Sequence, residues 1–198
     1  MKTKKTKKIV FVCTGNTCRS PMAEAILKKQ LKRLNLTGVK VCSAGLQAAL
    51  GSPINDKAAQ TLIDKGFKAV SFNKKRAEQL DEKTLEESLA IVCMTDRQRD
   101  VVMEMRWGVM RKAGEEEIEN NVYSFTELVG YEILDPYGKD IDCYHYVFEL
   151  LQGGMSALID KILPENVREN FKAKPKKPRE KKQRATKAPK KAEQLTIF

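Results

Sequence analysis

The chain predicts an α/β domain of three layers, a four-stranded parallel sheet with helices on both faces. Three observations carry that expectation. Short β-branched runs alternate with segments of helical period between residues 9 and 163. The runs are mostly apolar throughout rather than alternating, as strands covered on both faces are. Between the first run and the first helical segment lies Cys13-Thr14-Gly15-Asn16-Thr17-Cys18-Arg19-Ser20, a turn that leads a strand into a helix.

The elements follow in order. Ile9-Val10-Phe11-Val12 is the first strand, and Pro21 to Asn35 has the apolar period of a helix, with Pro21 suited to its first turn. Val39 to Cys42 is the second strand. Asn55 to Phe67 is helical, capped by Asn55 and stopped by Gly66. Lys74 to Ser88 is short helix or irregular chain. Leu89 to Met94 is a fully apolar third strand, and Asp96 caps a helix that runs to about Arg106. Asn121 to Phe125 is the fourth strand. Asp142 to Leu163 is a long helix with an interruption expected at Gly153-Gly154. In a doubly wound sheet ligands bind at the carboxyl ends of the strands, so the loops after all four strands should converge on the Cys13 turn.

That turn has a chemical logic. Backbone N–H groups at a helix N-terminus bind an oxyanion without any side-chain charge. The same environment, with a guanidinium nearby, activates a thiol by favouring the thiolate. Cys13 is therefore the candidate nucleophile. Arg19 offers a planar fork for two phosphoryl oxygens. Ser20 is placed to donate a hydroxyl to the departing sulfur, and Gly15 and Asn16 tolerate left-handed backbone in a tight cradle. Thr14 to Ser20 are the expected phosphate-binding residues. A thiolate also needs a carboxyl group that protonates the leaving atom and later deprotonates water. Asp135, stiffened by Pro136 and lying between the fourth strand and the last helix, is the candidate.

Composition narrows the class. The length of 198 residues fits one domain with additional chain, and no apolar run is long enough for a transmembrane helix. The five cysteines, Cys13, Cys18, Cys42, Cys93 and Cys143, form no disulfide or zinc pattern, which points to a cytoplasmic protein with no metal and no cofactor. Cys42 and Cys93 read as small buried hydrophobes, and the single histidine, His145, as a packing or surface residue. Charge is uneven: residues 171–198 hold eleven Lys or Arg and two Glu, whereas residues 9–170 hold 21 basic and 24 acidic side chains. The expected organisation is a basic extension over 1–8, a catalytic domain over 9–164 and a disordered basic tail over 165–198.

With these residues in view, Val12 to Glu24, reading VCTGNTCRSPMAE, resembles the signature of low-molecular-weight protein tyrosine phosphatases and their bacterial arginine-phosphatase relatives. Ser43-Ala44-Gly45, Met94-Thr95 and Asp135-Pro136-Tyr137-Gly138 follow in the order that family has, so the resemblance spans about residues 8 to 163. It implies a cysteine-dependent phosphatase that acts on a phosphorylated protein through a phosphocysteine, with Asp135 as general acid. Thr17 is similar to the arginine type, where tyrosine-specific members carry a branched aliphatic residue. Tyr137 followed by Gly138 is also closer to that type, so phosphoarginine is the expected substrate and phosphotyrosine the alternative. Leu46-Gln47-Ala48-Ala49 departs from it, since an aromatic residue usually follows Ser-Ala-Gly there.

A thioredoxin-coupled arsenate reductase would share the loop but needs a cysteine pair after the third strand, and Cys93 stands alone until Cys143. A nucleic-acid-binding module rests on the tail alone. Cys18, five residues from Cys13, is a candidate redox partner for it after peroxide oxidation. The basic tail is expected to bind polyanions, nucleic acid or an anionic membrane surface. Its end, Gln194 to Phe198, resembles the short motif by which bacterial proteins dock on the replication sliding clamp.

Overall fold

The computed structural model describes residues 6–114 and 120–172. The basic tail, with its polyanion and sliding-clamp expectations, and most of the N-terminal extension lie outside them. Four parallel strands form one sheet: β1 (Thr6–Cys13), β2 (Lys40–Gly45), β3 (Ser88–Cys93) and β4 (Val122–Ser124), in the order β2-β1-β3-β4. The chain leaves β1 to one side for β2 and returns to the other side for β3. The sheet therefore reverses its winding direction at the carboxyl end of β1, where open α/β sheets bind ligands.

Alternation along the central strands divides the core. Ile9 and Phe11 of β1, with Ala90 and Val92 of β3, face one side, and Val10 and Val12, with Ile91 and Cys93, face the other. The first face is covered by α1 (Arg19–Arg33), α2 (Asp56–Asp64) and the long α6 (Ile141–Ile162), through Met22, Ile26, Leu62, Phe148 and Leu151. The second is covered by α3 (Glu82–Glu87) and α4 (Asp96–Lys112), through Leu85 and Val102. The expected three layers are therefore present. Arg106 of α4 is buried and donates to the Leu85 carbonyl, tying α4 to α3.

Several element boundaries differ from the sequence expectations, each for a local reason. The cap of α4 is Thr95, whose Oγ1 accepts the Gln98 N–H at 3.3 Å; Asp96 instead accepts a hydrogen bond from Ser124. That helix continues past Arg106 to Lys112 because Val102, Arg106 and Met110 form one buried stripe. The fourth strand ends at Ser124, since Ser124 and Glu127 make a reciprocal capping box that starts α5 (Phe125–Val129). The Ser-x-x-Glu spacing was legible in the sequence, and α5 was not anticipated.

Nor is α6 interrupted at Gly153-Gly154. A Cβ on Gly154 would lie 3.0 Å from both Phe125 and Val129, so the glycine lets α5 approach the helix rather than breaking it. Regular structure also continues past the expected boundary at residue 164. A short α7 (Glu165–Arg168) and a 3₁₀ turn lead to Phe171, which is buried, and Lys172 bridges to Leu36. No helix among the described residues is long and apolar enough to cross a membrane.

Candidate active site

The turn between β1 and α1 is held from outside by its neighbours. The Cys13 carbonyl accepts Leu46 N–H and the Thr14 carbonyl accepts Gln47 N–H, each at 2.9 Å, and the Thr17 carbonyl accepts Asn55 N–H at 2.9 Å. Three of its carbonyls are thus engaged by the scaffold, and the loop closes inward. Asn16 has φ of 56°, the left-handed conformation that the sequence anticipated, and its backbone N–H lies 3.3 Å from Cys13 Sγ. Gly45 has to be glycine: a Cβ there would come 2.7 Å from the Thr14 carbonyl oxygen.

Behind the sulfur is a buried polar network. Asn16 Nδ2 donates to Ser20 Oγ at 2.9 Å and to Ser43 Oγ at 3.0 Å, while Asn16 Oδ1 accepts Glu78 N–H at 2.9 Å. Ser43 Oγ–H in turn donates to the Glu24 carboxylate at 2.6 Å. Ser20 Oγ thus accepts from Asn16 and lies 3.0 Å from Cys13 Sγ, with the Ala44 carbonyl at 3.5 Å as a further partner. The serine hydroxyl therefore sits within hydrogen-bond reach of the sulfur, where a thiolate would receive its proton.

In front of the sulfur is a cavity of about 380 Å³. Its floor is Cys13, Gly15, Thr17 and Arg19; the chain after β2 supplies Gln47, Ala49 and Ser52, and the chain before α6 supplies Asp135 and Tyr137. Cys13 is only 3% exposed and Arg19 5%, so both sit deep in the fold. Arg19 donates to the Ile133 carbonyl at 3.3 Å and to the Asp135 carboxylate. Asp135 Oδ1 accepts Tyr137 N–H at 3.2 Å, an Asx turn that fixes the carboxylate beside the arginine. Tyr137 stands exposed at the rim.

Of the residues singled out from the sequence, Cys13, Thr14, Gly15, Thr17, Cys18, Arg19, Asp135 and Tyr137 converge on this cavity. Asn16 and Ser20 do not line it; their side chains brace it from behind. Cys18 lines it, but its thiol also lies 3.5 Å from the Tyr144 hydroxyl of α6, and burial pushes the thiol's pKa up from its ordinary value. Cys93 is fully buried, Cys42 only half-buried, and His145 pairs with Asp64 on the surface.

Sequence reasoning missed Gln98, Glu24 and Tyr144. Gln98, in the first turn of α4, accepts Met94 N–H and donates to Thr14 Oγ1 at 3.1 Å, so it couples the end of β3 to the loop. No motif flags it. Its signal is positional, the first helical turn after a strand at the site-bearing sheet edge.

Chemically, the arrangement places a sulfur, a guanidinium and a carboxylate around one cavity at a helix N-terminus, which suits transfer of an anionic group onto the sulfur. Comparison with known proteins agrees. The model of the family described as low molecular weight phosphotyrosine protein phosphatase matches residues 8–172. The chain is 32% identical to a protein-arginine-phosphatase of Geobacillus stearothermophilus, covering 80% of this chain and 97% of that one. It is 30% identical to a probable low molecular weight protein-tyrosine-phosphatase, EpsP, of Ralstonia nicotianae, covering 79% and 96%. The solved structure of YwlE arginine phosphatase from Geobacillus stearothermophilus superposes with a TM-score of 0.66 at 31% identity, over 81% of this chain and 95% of that one.

Proposed function

The chain belongs to the low-molecular-weight phosphotyrosine protein phosphatase family, whose members work through a phosphocysteine, and on that premise we propose that it removes phosphate from phosphoarginine residues of proteins. In this reading Cys13 Sγ attacks phosphorus, the P–N bond breaks, and the Asp135 carboxyl gives its proton to the departing guanidine nitrogen. Water then attacks the phosphocysteine while the Asp135 carboxylate takes its proton. The S–P bond breaks, phosphate leaves, and Ser20 Oγ–H receives the departing sulfur. Arg19 and the loop N–H groups hold the phosphoryl oxygens in both steps.

The substrate reading rests on Thr17. Thr17 lines the cavity, and in this reading its hydroxyl serves an attacking water and a guanidine. A branched aliphatic residue there would serve neither. The phosphotyrosine alternative draws on the other wall, where Gln47 and Ala49 line the cavity and the Leu46-Gln47-Ala48-Ala49 run lacks the aromatic residue that the arginine type carries after Ser-Ala-Gly.

The deciding experiment compares kcat/KM on phosphoarginine and phosphotyrosine peptides of one sequence, for the parent and for Thr17→Ile. The parent is expected to favour phosphoarginine, and the variant to shift toward phosphotyrosine by about ten-fold or more, the size of losing one buried polar contact. A parent that prefers phosphotyrosine would replace this reading with the alternative.

A further inference from the structure

A second cavity of about 510 Å³ opens beside the catalytic one and shares Thr14, Arg19, Gln47 and Asp135 with it. Its size is within the range of ligand-binding clefts, yet none of the catalytic steps uses it. The part that belongs to it alone has a definite character. Leu46, Val101 and Met105 supply apolar surface, and Arg97 supplies a guanidinium. Val101 and Met105 are four residues apart on one face of α4, and both remain exposed, 41% and 37%. Arg97 is exposed and makes no ion pair with another described residue.

Carboxylates of the surrounding elements have partners other than Arg97. Asp135 is bound to Arg19, Asp96 accepts from Ser124, Asp100 pairs with Arg99, and Glu132 accepts Asp96 N–H. The second cavity therefore joins a guanidinium that has no ion-pair partner among the described residues to an apolar shelf, and it lies beside the place where the phosphorylated side chain must sit.

We propose that this cavity is a subsite for the substrate polypeptide next to the phosphorylated residue, taking an apolar side chain on Leu46, Val101 and Met105 and an acidic one against Arg97. The occupant is the substrate chain itself, because the cavity shares four lining residues with the catalytic pocket, so the neighbours of a bound phosphoresidue pass beside it. This inference rests on the protein-phosphatase reading, and it applies whichever phosphorylated residue is cleaved.

The test uses the full-length enzyme and paired peptides. Within a pair, one carries Leu-Asp and the other Ala-Lys beside the phosphorylated residue, placed before it and after it in turn. Each pair is made with phosphoarginine and with phosphotyrosine. In one placement the Leu-Asp peptide is expected to exceed its partner in kcat/KM by about five-fold or more, as an exposed ion pair and a partly buried apolar side chain together supply. The preference should weaken at high salt.

In Arg97→Glu the acidic preference should vanish or invert, while turnover of a small aryl phosphate, which does not reach the second cavity, stays at the parental rate. Equal kcat/KM within every pair would overturn the subsite. So would an Arg97→Glu variant that slows the aryl phosphate as much as the peptides. Turnover confined to the phosphotyrosine series would end the phosphoarginine reading, and the flank preference measured in that series would still decide the subsite.

Discussion

At the scale of single residues, the site is organised by what each polar atom has left to give. Ser20 accepts from Asn16 while its hydroxyl lies beside the Cys13 sulfur, whereas Asn16 spends every polar atom of its side chain on bracing. Asp135 is held against Arg19 by its own Asx turn, next to the space a leaving group must cross. Its proposed acid role predicts a selective defect. Asp135→Asn should lower kcat on phosphopeptides by about 10²–10⁴-fold, the usual contribution of a general acid. An activated aryl phosphate, whose leaving group needs little protonation, should be slowed far less. Equal slowing of both in steady-state assays would assign Asp135 a purely structural part.

At the scale of elements, the loop is shaped by the strand beside it. Gly45 ends β2 against the Thr14 carbonyl, and the next two residues donate to the loop's carbonyls. Gly45→Ala should therefore push the loop off its scaffold. Activity on any phosphate ester is expected to fall at least ten-fold, with the thermal midpoint lowered by a few degrees, in line with about 1–3 kcal/mol of overpacking. A variant with parental kinetics would show that the loop yields freely.

The same elements show what was legible in the sequence. The strands and the nucleophile turn were readable because apolar runs and a Cys-x5-Arg turn are local signals. Asp135 was readable as a candidate through its local Asp-Pro element. Gln98 and Tyr144 were not, because what matters about them is a contact made across the fold, Gln98 with Thr14 and Tyr144 with Cys18. The glycine pair in α6 misled for the same reason. Read alone Gly154 is a helix weakener, and only the packing of Phe125 and Val129 reveals it as a close-approach site.

At the scale of the whole molecule, the buried thiols set an alkaline limit. Burial raises the pKa of Cys18, Cys42 and Cys93, and desolvation is the chief cause for each. In the unfolded chain these thiols ionise near their ordinary value of 9.0, so above that pH the unfolded state binds fewer protons than the native one. Stability is therefore complete below that value and falls as pH rises beyond it, until the native thiols themselves ionise. Cys93 alone should contribute a slope of about 1.4 kcal/mol per pH unit. Denaturant midpoints measured between pH 8 and 10.5 under reducing conditions should decline, and Cys93→Ala should flatten the decline. A flat profile in the parent would contradict this.

The bond between Arg19 and Asp135 joins residues 116 positions apart, and Arg19 meets Ile133 across 114. These are among the longest loop closures the fold makes, and such contacts form late when a chain assembles. The nucleophile turn, by contrast, lies within one strand–helix unit at the start of the chain. A ribosome exposes the turn long before it exposes Asp135, and a chain caught between those moments holds Arg19 with neither of its two partners. Catalytic competence thus reports completion of the fold. In refolding from denaturant, activity should return after far-UV dichroism does. Simultaneous recovery would mean that the two ends of the domain meet early.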